Sequence, residues 1–136
     1  MRCPSTTIIS ACACAFVLTV GVAAQNPGGN PDAKKMKNPV ASSPESIKAG
    51  QALYQKNCRF CHGTDAKGNG PMAPEGTHPS NLVDAKWDRG DSDGEIFVVI
   101  RDGLSADMLG YKDKLKDAEM WQVVVFVRTL AAKKTN

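Results

Sequence analysis

The chain has 136 residues, a length that suits one domain of ordinary size and excludes a long multidomain enzyme. Hydrophobic residues make up 42% of the sequence and charged residues 23%, a composition typical of a folded protein rather than of a disordered tail or a membrane bundle. The formal net charge of +3 is too small to indicate nucleic acid as a partner, because phosphate binding needs a concentrated basic face.

The first 24 residues have the order of a secretory signal peptide. One arginine precedes an apolar run of small residues from 8 to 22, and Val22-Ala23-Ala24 stands before Gln25, as a cleavage site requires. The alternative is a retained single-span anchor. Cleavage predicts a mature chain beginning at Gln25 in a periplasmic or otherwise extracytoplasmic compartment, with contact to a membrane only if the segment is retained.

Residues 25–43 are predicted to be a flexible linker ahead of a domain at 44–136. The linker contains three prolines, two glycines and three lysines and has no apolar periodicity. Ser43 and Pro44 then have the residue types of a helix N-cap and first turn. Ile47, Gly50, Leu53 and Tyr54 follow at spacings of three and four, which predicts a helix ending near Cys58.

The second half of the domain is predicted to be a long loop, 63–90, followed by two more helices. Ser92 and Glu95 fit a capping box, and the segment stops at Gly103; a buried strand is the alternative, because residues 96–100 are β-prone. A polar loop at 104–116 precedes a last helix capped by Asp117, with Trp121, Val124, Val125 and Arg128 at helical spacing. The fold class predicted is all-α.

The segment Cys58-Arg59-Phe60-Cys61-His62 is the attachment signature of a c-type haem. Two thiols three positions apart can reach the two vinyl groups of one haem, and the following imidazole can then bind the iron. A structural zinc site would need four ligands, and the predicted mature chain has two cysteines. The same two cysteines could also form a thioredoxin-like redox pair or a plain disulfide.

Together with Gly68-Asn69-Gly70-Pro71, Met108 and the run from Trp121 to Leu130, this signature resembles the small bacterial class I monohaem c-type cytochromes. The resemblance covers roughly residues 43–132 and implies helices wrapped around one covalently bound haem, with the first and last helices crossing. It implies that Gly50 permits that crossing, with Tyr54 packing against Trp121 and Val125. It also implies that the Pro71 carbonyl oxygen accepts the second ring proton of His62 and so orients this ligand.

The sixth iron ligand has five candidates in the predicted mature chain: Met36, Met72, Met108, Met120 and His78. Met36 lies in the predicted linker, Met120 adjoins Trp121 on the last helix, and Met72 follows His62 too closely to reach the opposite haem face easily. Met108 stands 46 residues after His62, in a polar loop, where the resemblance places the ligand. Met108 is therefore the predicted ligand, with His78 and Met72 as the alternatives.

These residues predict an electron-transfer protein rather than an enzyme. A thioether opposite an imidazole favours ferrous iron and leaves no open position for a substrate. We expect a monomer that passes single electrons between redox partner proteins, and Lys112, Lys114 and Lys116 could steer an acidic partner. The alternatives are a haem enzyme or gas sensor with a displaceable sixth ligand, and a docked electron-transfer subunit.

Overall fold

The computed structural model describes residues 29–84 and 87–132. The predicted signal peptide, residues 1–24, lies outside the described residues, as do residues 25–28 of the predicted linker. In the part of the chain that is described, no helix has both the length and the apolar character needed to cross a membrane.

Helices form the regular structure of the described residues. They are a 3-10 turn at Ala33–Lys35, α1 at Pro44–Asn57, α2 at Arg59–His62, α3 at Asp93–Asp102 and α4 at Asp117–Ala132. The β-structure in these residues is one isolated bridge between Gly103 and Leu109. The predicted all-α class is confirmed.

The start of α1 follows the predicted capping pattern. The Ser43 side chain accepts a hydrogen bond from the Ser46 N–H (3.2 Å), and Ser46 Oγ accepts one from the Ser43 N–H (2.9 Å). Pro44 takes a first-turn position, where a helix does not need its N–H. Because α1 ends at Asn57 and α2 begins at Arg59, α1 positions the cysteine pair directly.

The β-prone run at 96–100 is helical, as predicted. Reciprocal hydrogen bonds between Ser92 and Glu95 begin α3, and Gly103, with φ of +81°, ends it. Ile96 and Ile100 lie four positions apart and are both buried, as expected for one face of a helix. The caps at both ends therefore outweigh the β propensity of the run.

The helices α1 and α4 cross at Gly50. A Cβ atom at this position would contact the Gln122 carbonyl oxygen and would lie 2.9 Å from Phe126 Cβ, so that a side chain here would push the two helices apart. The Tyr54 ring packs against Phe126, with the ring centroids 5.4 Å apart. The predicted close crossing is thus present at Gly50.

The aromatic partners at this crossing differ from those predicted. Trp121 stacks on Phe97 of α3, with centroids 4.0 Å apart and an interplanar angle of 3°, and Phe126 takes the place predicted for Trp121 and Val125 against Tyr54. The cause is helical geometry. Gln122 and Phe126 lie on the face of α4 that meets α1, and each neighbouring position is rotated by about 100° from that face.

Part of the predicted linker packs against the helices. Within residues 30–40, here called the N-terminal strap, Ala33 is buried and its carbonyl oxygen lies against Gly94 of α3. The Asn38 side-chain amide donates to the Trp121 carbonyl oxygen (3.3 Å), and the Asn30 N–H donates to the Glu95 carboxylate (3.0 Å). The strap therefore differs from the flexible linker that its composition predicts, because tertiary contacts order it.

Candidate functional site

The two cysteines lie on either side of the start of α2. Cys58 lies between Asn57, where α1 ends, and α2, Cys61 lies within α2, and no disulfide joins these two cysteines. Burial and the neighbouring Cys61 thiol raise the pKa of Cys58 to about 12. Reactive redox cysteines have a lowered pKa, so this environment does not favour a thioredoxin-like pair.

The imidazole of His62 follows at the end of α2. Its Nδ1 lies 3.0 Å from the Ser80 carbonyl oxygen, to which a protonated Nδ1 donates a hydrogen bond. This bond leaves Nε2 unprotonated and available to a metal ion. Burial also lowers the pKa of His62, although the Ser80 carbonyl opposes this effect, and so the ring is neutral at pH 7.

The acceptor for His62 is therefore Ser80 and not the predicted Pro71. The turn around Pro71 lies against the backbone of α2, where the Gly70 N–H donates to the Cys61 carbonyl oxygen (3.0 Å) and the Met72 N–H donates to that of Phe60 (2.8 Å). These bonds hold the turn on the backbone of α2, and the contact of His62 Nδ1 is with Ser80. Residues 79–82 pass beside His62, and there the Leu82 N–H donates to the Ala66 carbonyl oxygen (2.8 Å).

A mainly apolar cleft opens beside His62, between the end of α1, α3 and α4. Its walls are formed by aliphatic and aromatic side chains: Tyr54, Leu82, Trp87, Ile96, Val99, Ile100, Leu104, Val123 and Val127. Cys58, His62 and Met108 also line it. A more polar cavity, here called the mouth of the cleft, adjoins it, shares Cys58, His62 and Met108 with it, and is also lined by Cys61, His78, Asp107 and Lys114.

The loop that carries Met108 is closed by backbone contacts. Gly103 pairs with Leu109 in the isolated bridge, and the Leu104 N–H donates to the Met108 carbonyl oxygen (2.9 Å). A Cβ at Gly103 would lie 2.6 Å from that same oxygen, and its φ of +81° favours glycine. These contacts order the loop between Gly103 and Leu109.

The remaining candidate ligands occupy different environments. Met72 is 65% exposed, Met36 lies on the strap at 37% exposure, and Met120 is fully buried in the core. His78 is exposed and lines only the polar mouth of the cleft, whereas Met108 also lines its apolar part together with His62. The geometry therefore brings together His62 and Met108 and separates Met36 and Met120 from them.

Two residues of the site escaped the sequence prediction. Ser80 contributes only its carbonyl oxygen, which any residue type could supply, so no sequence signal marks it. Tyr111 lines the mouth of the cleft, and its hydroxyl donates to the Asn57 carbonyl oxygen (2.9 Å). Of the three lysines expected to steer a partner, Lys114 is the one that lines the cleft.

A family model described as subunit III of cbb3-type cytochrome c oxidase matches residues 45–127. The chain belongs to this cytochrome c family. FixP, a cbb3-type cytochrome c oxidase subunit of Rhizobium meliloti (strain 1021), is 32% identical over 89 residues, which are 65% of this chain and 29% of FixP. The chain thus spans less than a third of the length of this curated relative.

Two solved structures share the fold. Cytochrome cL of Methylophaga aminisulfidivorans is 25% identical with a TM-score of 0.55, over 68% of this chain and 63% of that one. The reducing HAO-like protein complex of Kuenenia stuttgartiensis contains a chain that is 25% identical with a TM-score of 0.62, over 70% of this chain and 49% of that one. Both likenesses agree with the predicted cytochrome c fold.

As a member of this cytochrome c family, the protein has covalently bound haem c, with its iron, as its cofactor. The residues of the cleft fit this group. Cys58 and Cys61 stand at the attachment spacing and are not joined in a disulfide. His62, with its Nδ1 engaged, borders an apolar cavity that Met108 also lines. Nitrogen and thioether sulfur are the axial ligands typical of electron-transfer cytochromes c.

Proposed function

We propose that this cytochrome is an extracytoplasmic electron carrier with one haem, attached through Cys58 and Cys61 and ligated by His62 and Met108. The observation that carries the proposal is that His62 and Met108 line one apolar cleft with Cys58 beside them. Bound haem c supplies a one-electron couple at its iron. The chain's own residues then determine how readily that couple is used.

The proposed ligands and the walls of the cleft act in the same direction on the reduction potential. The soft, neutral thioether of Met108 stabilises ferrous relative to ferric iron. Apolar side chains such as Trp87, Ile96 and Val127 exclude water from the cleft and disfavour the additional positive charge of the ferric state. The Ser80 carbonyl oxygen orients His62 and makes its imidazole a better ligand.

We further propose that the carrier exchanges electrons with redox partner proteins. Support comes from FixP, whose name describes a subunit of a cbb3-type oxidase. Because this chain spans 29% of FixP, it could act either as a free carrier or as a subunit within an assembly. The proposed signal peptide would export the domain and leave Gln25 as the first residue.

The proposed ligation is tested by Met108→Ala in the purified holoprotein, with Met72→Ala as the matched control because Met72 is 65% exposed. We expect the far-red sulfur-to-iron band of the ferric protein to be lost, and the reduction potential to fall, only in Met108→Ala. The mass of the wild-type holoprotein should equal one haem plus a chain beginning at Gln25.

The opposite result has a distinct signature. A wild-type protein with a high-spin spectrum, rapid carbon monoxide binding and no far-red band would contradict His62/Met108 ligation and favour a haem enzyme or gas sensor. A far-red band that survives in Met108→Ala and disappears in Met72→Ala would identify Met72, and not Met108, as the sixth iron ligand.

A further inference from the structure

Tyr111 connects the loop that carries Met108 to the end of α1. Its hydroxyl donates a hydrogen bond to the Asn57 carbonyl oxygen at 2.9 Å, across 54 positions of sequence. Asn57 is the last residue of α1 and directly precedes Cys58. One side chain therefore joins the two parts of the chain that carry the proposed haem ligands, His62 and Met108, which both line the cleft.

The backbone of Tyr111 is itself anchored at the base of the Met108 loop. Its N–H donates to the Ile100 carbonyl oxygen in α3 (2.9 Å), and the next N–H, that of Lys112, donates to Arg101 (3.2 Å). The loop between Gly103 and Tyr111 is closed by its own backbone bonds. Tyr111 thus lies where the closed loop meets both α3 and α1.

The surroundings of the Tyr111 side chain suit a persistent hydrogen bond. The ring is half-buried at the mouth of the cleft, and Lys114 Nζ lies 5.6 Å from its centroid. Burial raises the pKa of Tyr111, so the hydroxyl remains protonated and able to donate at neutral pH. A hydrogen bond shielded in this way is weakened less by competing water than one at the surface.

We infer that Tyr111 is a positioning residue that fixes Met108 relative to His62 by tying the base of the loop to Asn57. This inference rests on the proposed ligation by Met108. Movement of the loop away from α2 would break the bond between Tyr111 and Asn57, because Asn57 is continuous with α2. The bond therefore opposes the departure of Met108 from the cleft.

The test is Tyr111→Phe in the ferric holoprotein, titrated with imidazole while the far-red sulfur-to-iron band is recorded. Imidazole can replace the thioether only when the loop opens. We expect imidazole to displace it with about fivefold higher apparent affinity in Tyr111→Phe, which corresponds to the net contribution of one hydrogen bond. The ring and its contact with Lys114 are retained in this variant.

Asn38→Ala is the matched control. Asn38 also donates from its side chain to a distant backbone carbonyl, that of Trp121, but it lies on the strap and does not line the cleft. We expect the imidazole affinity of Asn38→Ala to stay within about twofold of wild type even if the variant unfolds at lower denaturant concentration. An equal rise in both variants would overturn the inference, because general loosening would then explain it.

The wild-type protein gives a second measurement that does not depend on a variant. The chain has two tyrosines, and ultraviolet resonance Raman spectra report their hydrogen bonding. Saturation with imidazole should shift a tyrosine signal if the loop opens as inferred, and an unchanged signal would refute it. A wild-type protein without the far-red band would instead refute the proposed ligation. If the band is present and Tyr111→Phe binds imidazole with wild-type affinity, only the role of Tyr111 is refuted.

Discussion

Replacement of Gly50 by alanine tests the closeness of the contact between α1 and α4. The added methyl group would meet the Gln122 carbonyl oxygen and would lie 2.7 Å from the Gln122 carbonyl carbon. That distance is about 0.7 Å inside ordinary van der Waals contact, which begins at 3.4 Å. Since the atoms it meets belong to helical backbone, one helix has to shift.

The expected cost is the difference between two opposing effects. Overpacking of a well-filled contact costs about 3 kcal/mol at the upper end of its usual range. Alanine favours a helix interior by about 1 kcal/mol relative to glycine. We therefore expect Gly50→Ala to lower the free energy of unfolding by about 2 kcal/mol, which is a large part of the stability of a domain of this size.

The assay is denaturant unfolding of the holoprotein, followed by circular dichroism. Gln51→Ala is the control, because Gln51 is exposed on the same helix, and we expect its unfolding free energy to change by less than about 0.5 kcal/mol. The far-red band should persist in both variants, since Gly50 and Gln122 do not line the cleft. A Gly50→Ala protein at least as stable as wild type would refute the close contact.

Two further predictions concern charged side chains. Burial raises the pKa of Glu95, but hydrogen bonds from Ser92 and Asn30 lower it, and the net result is a decrease. Glu95→Gln should therefore reduce the unfolding free energy at pH 7 by about 2 kcal/mol. The difference in unfolding free energy between wild type and Glu95→Gln should shrink as pH falls below 4.5 and through the lower pKa of the folded state, because Glu95 is then protonated. Denaturant titrations across that pH range measure it. Lys114→Gln should slow electron transfer to an acidic partner about twofold at low salt, whereas Lys116→Gln should leave the rate unchanged. Stopped-flow rates that do not depend on ionic strength would contradict electrostatic steering of the partner by Lys114.

The helices α1 and α3 were predictable because their ends are encoded locally. Ser43 and Ser92 cap α1 and α3 through side-chain hydrogen bonds that depend on residue type and spacing. The N-terminal strap was not predictable in this way. Its prolines and lysines are typical of a linker, but Ala33 becomes buried only because Gly94 of α3 leaves room for its backbone. Such a fit depends on a residue far along the chain.

The same distinction applies to the candidate site. Cys58, His62 and Met108, the residues proposed to hold the haem, could be named from the sequence because that chemistry requires these residue types. The groups that we propose to orient the two iron ligands act through backbone carbonyl oxygens, that of Ser80 for His62 and, through Tyr111, that of Asn57 for Met108. Every residue has such an oxygen, so the path of the chain decides which one is used. The ligands can therefore be inferred from residue types, whereas the positioning bonds emerge only from the three-dimensional structure.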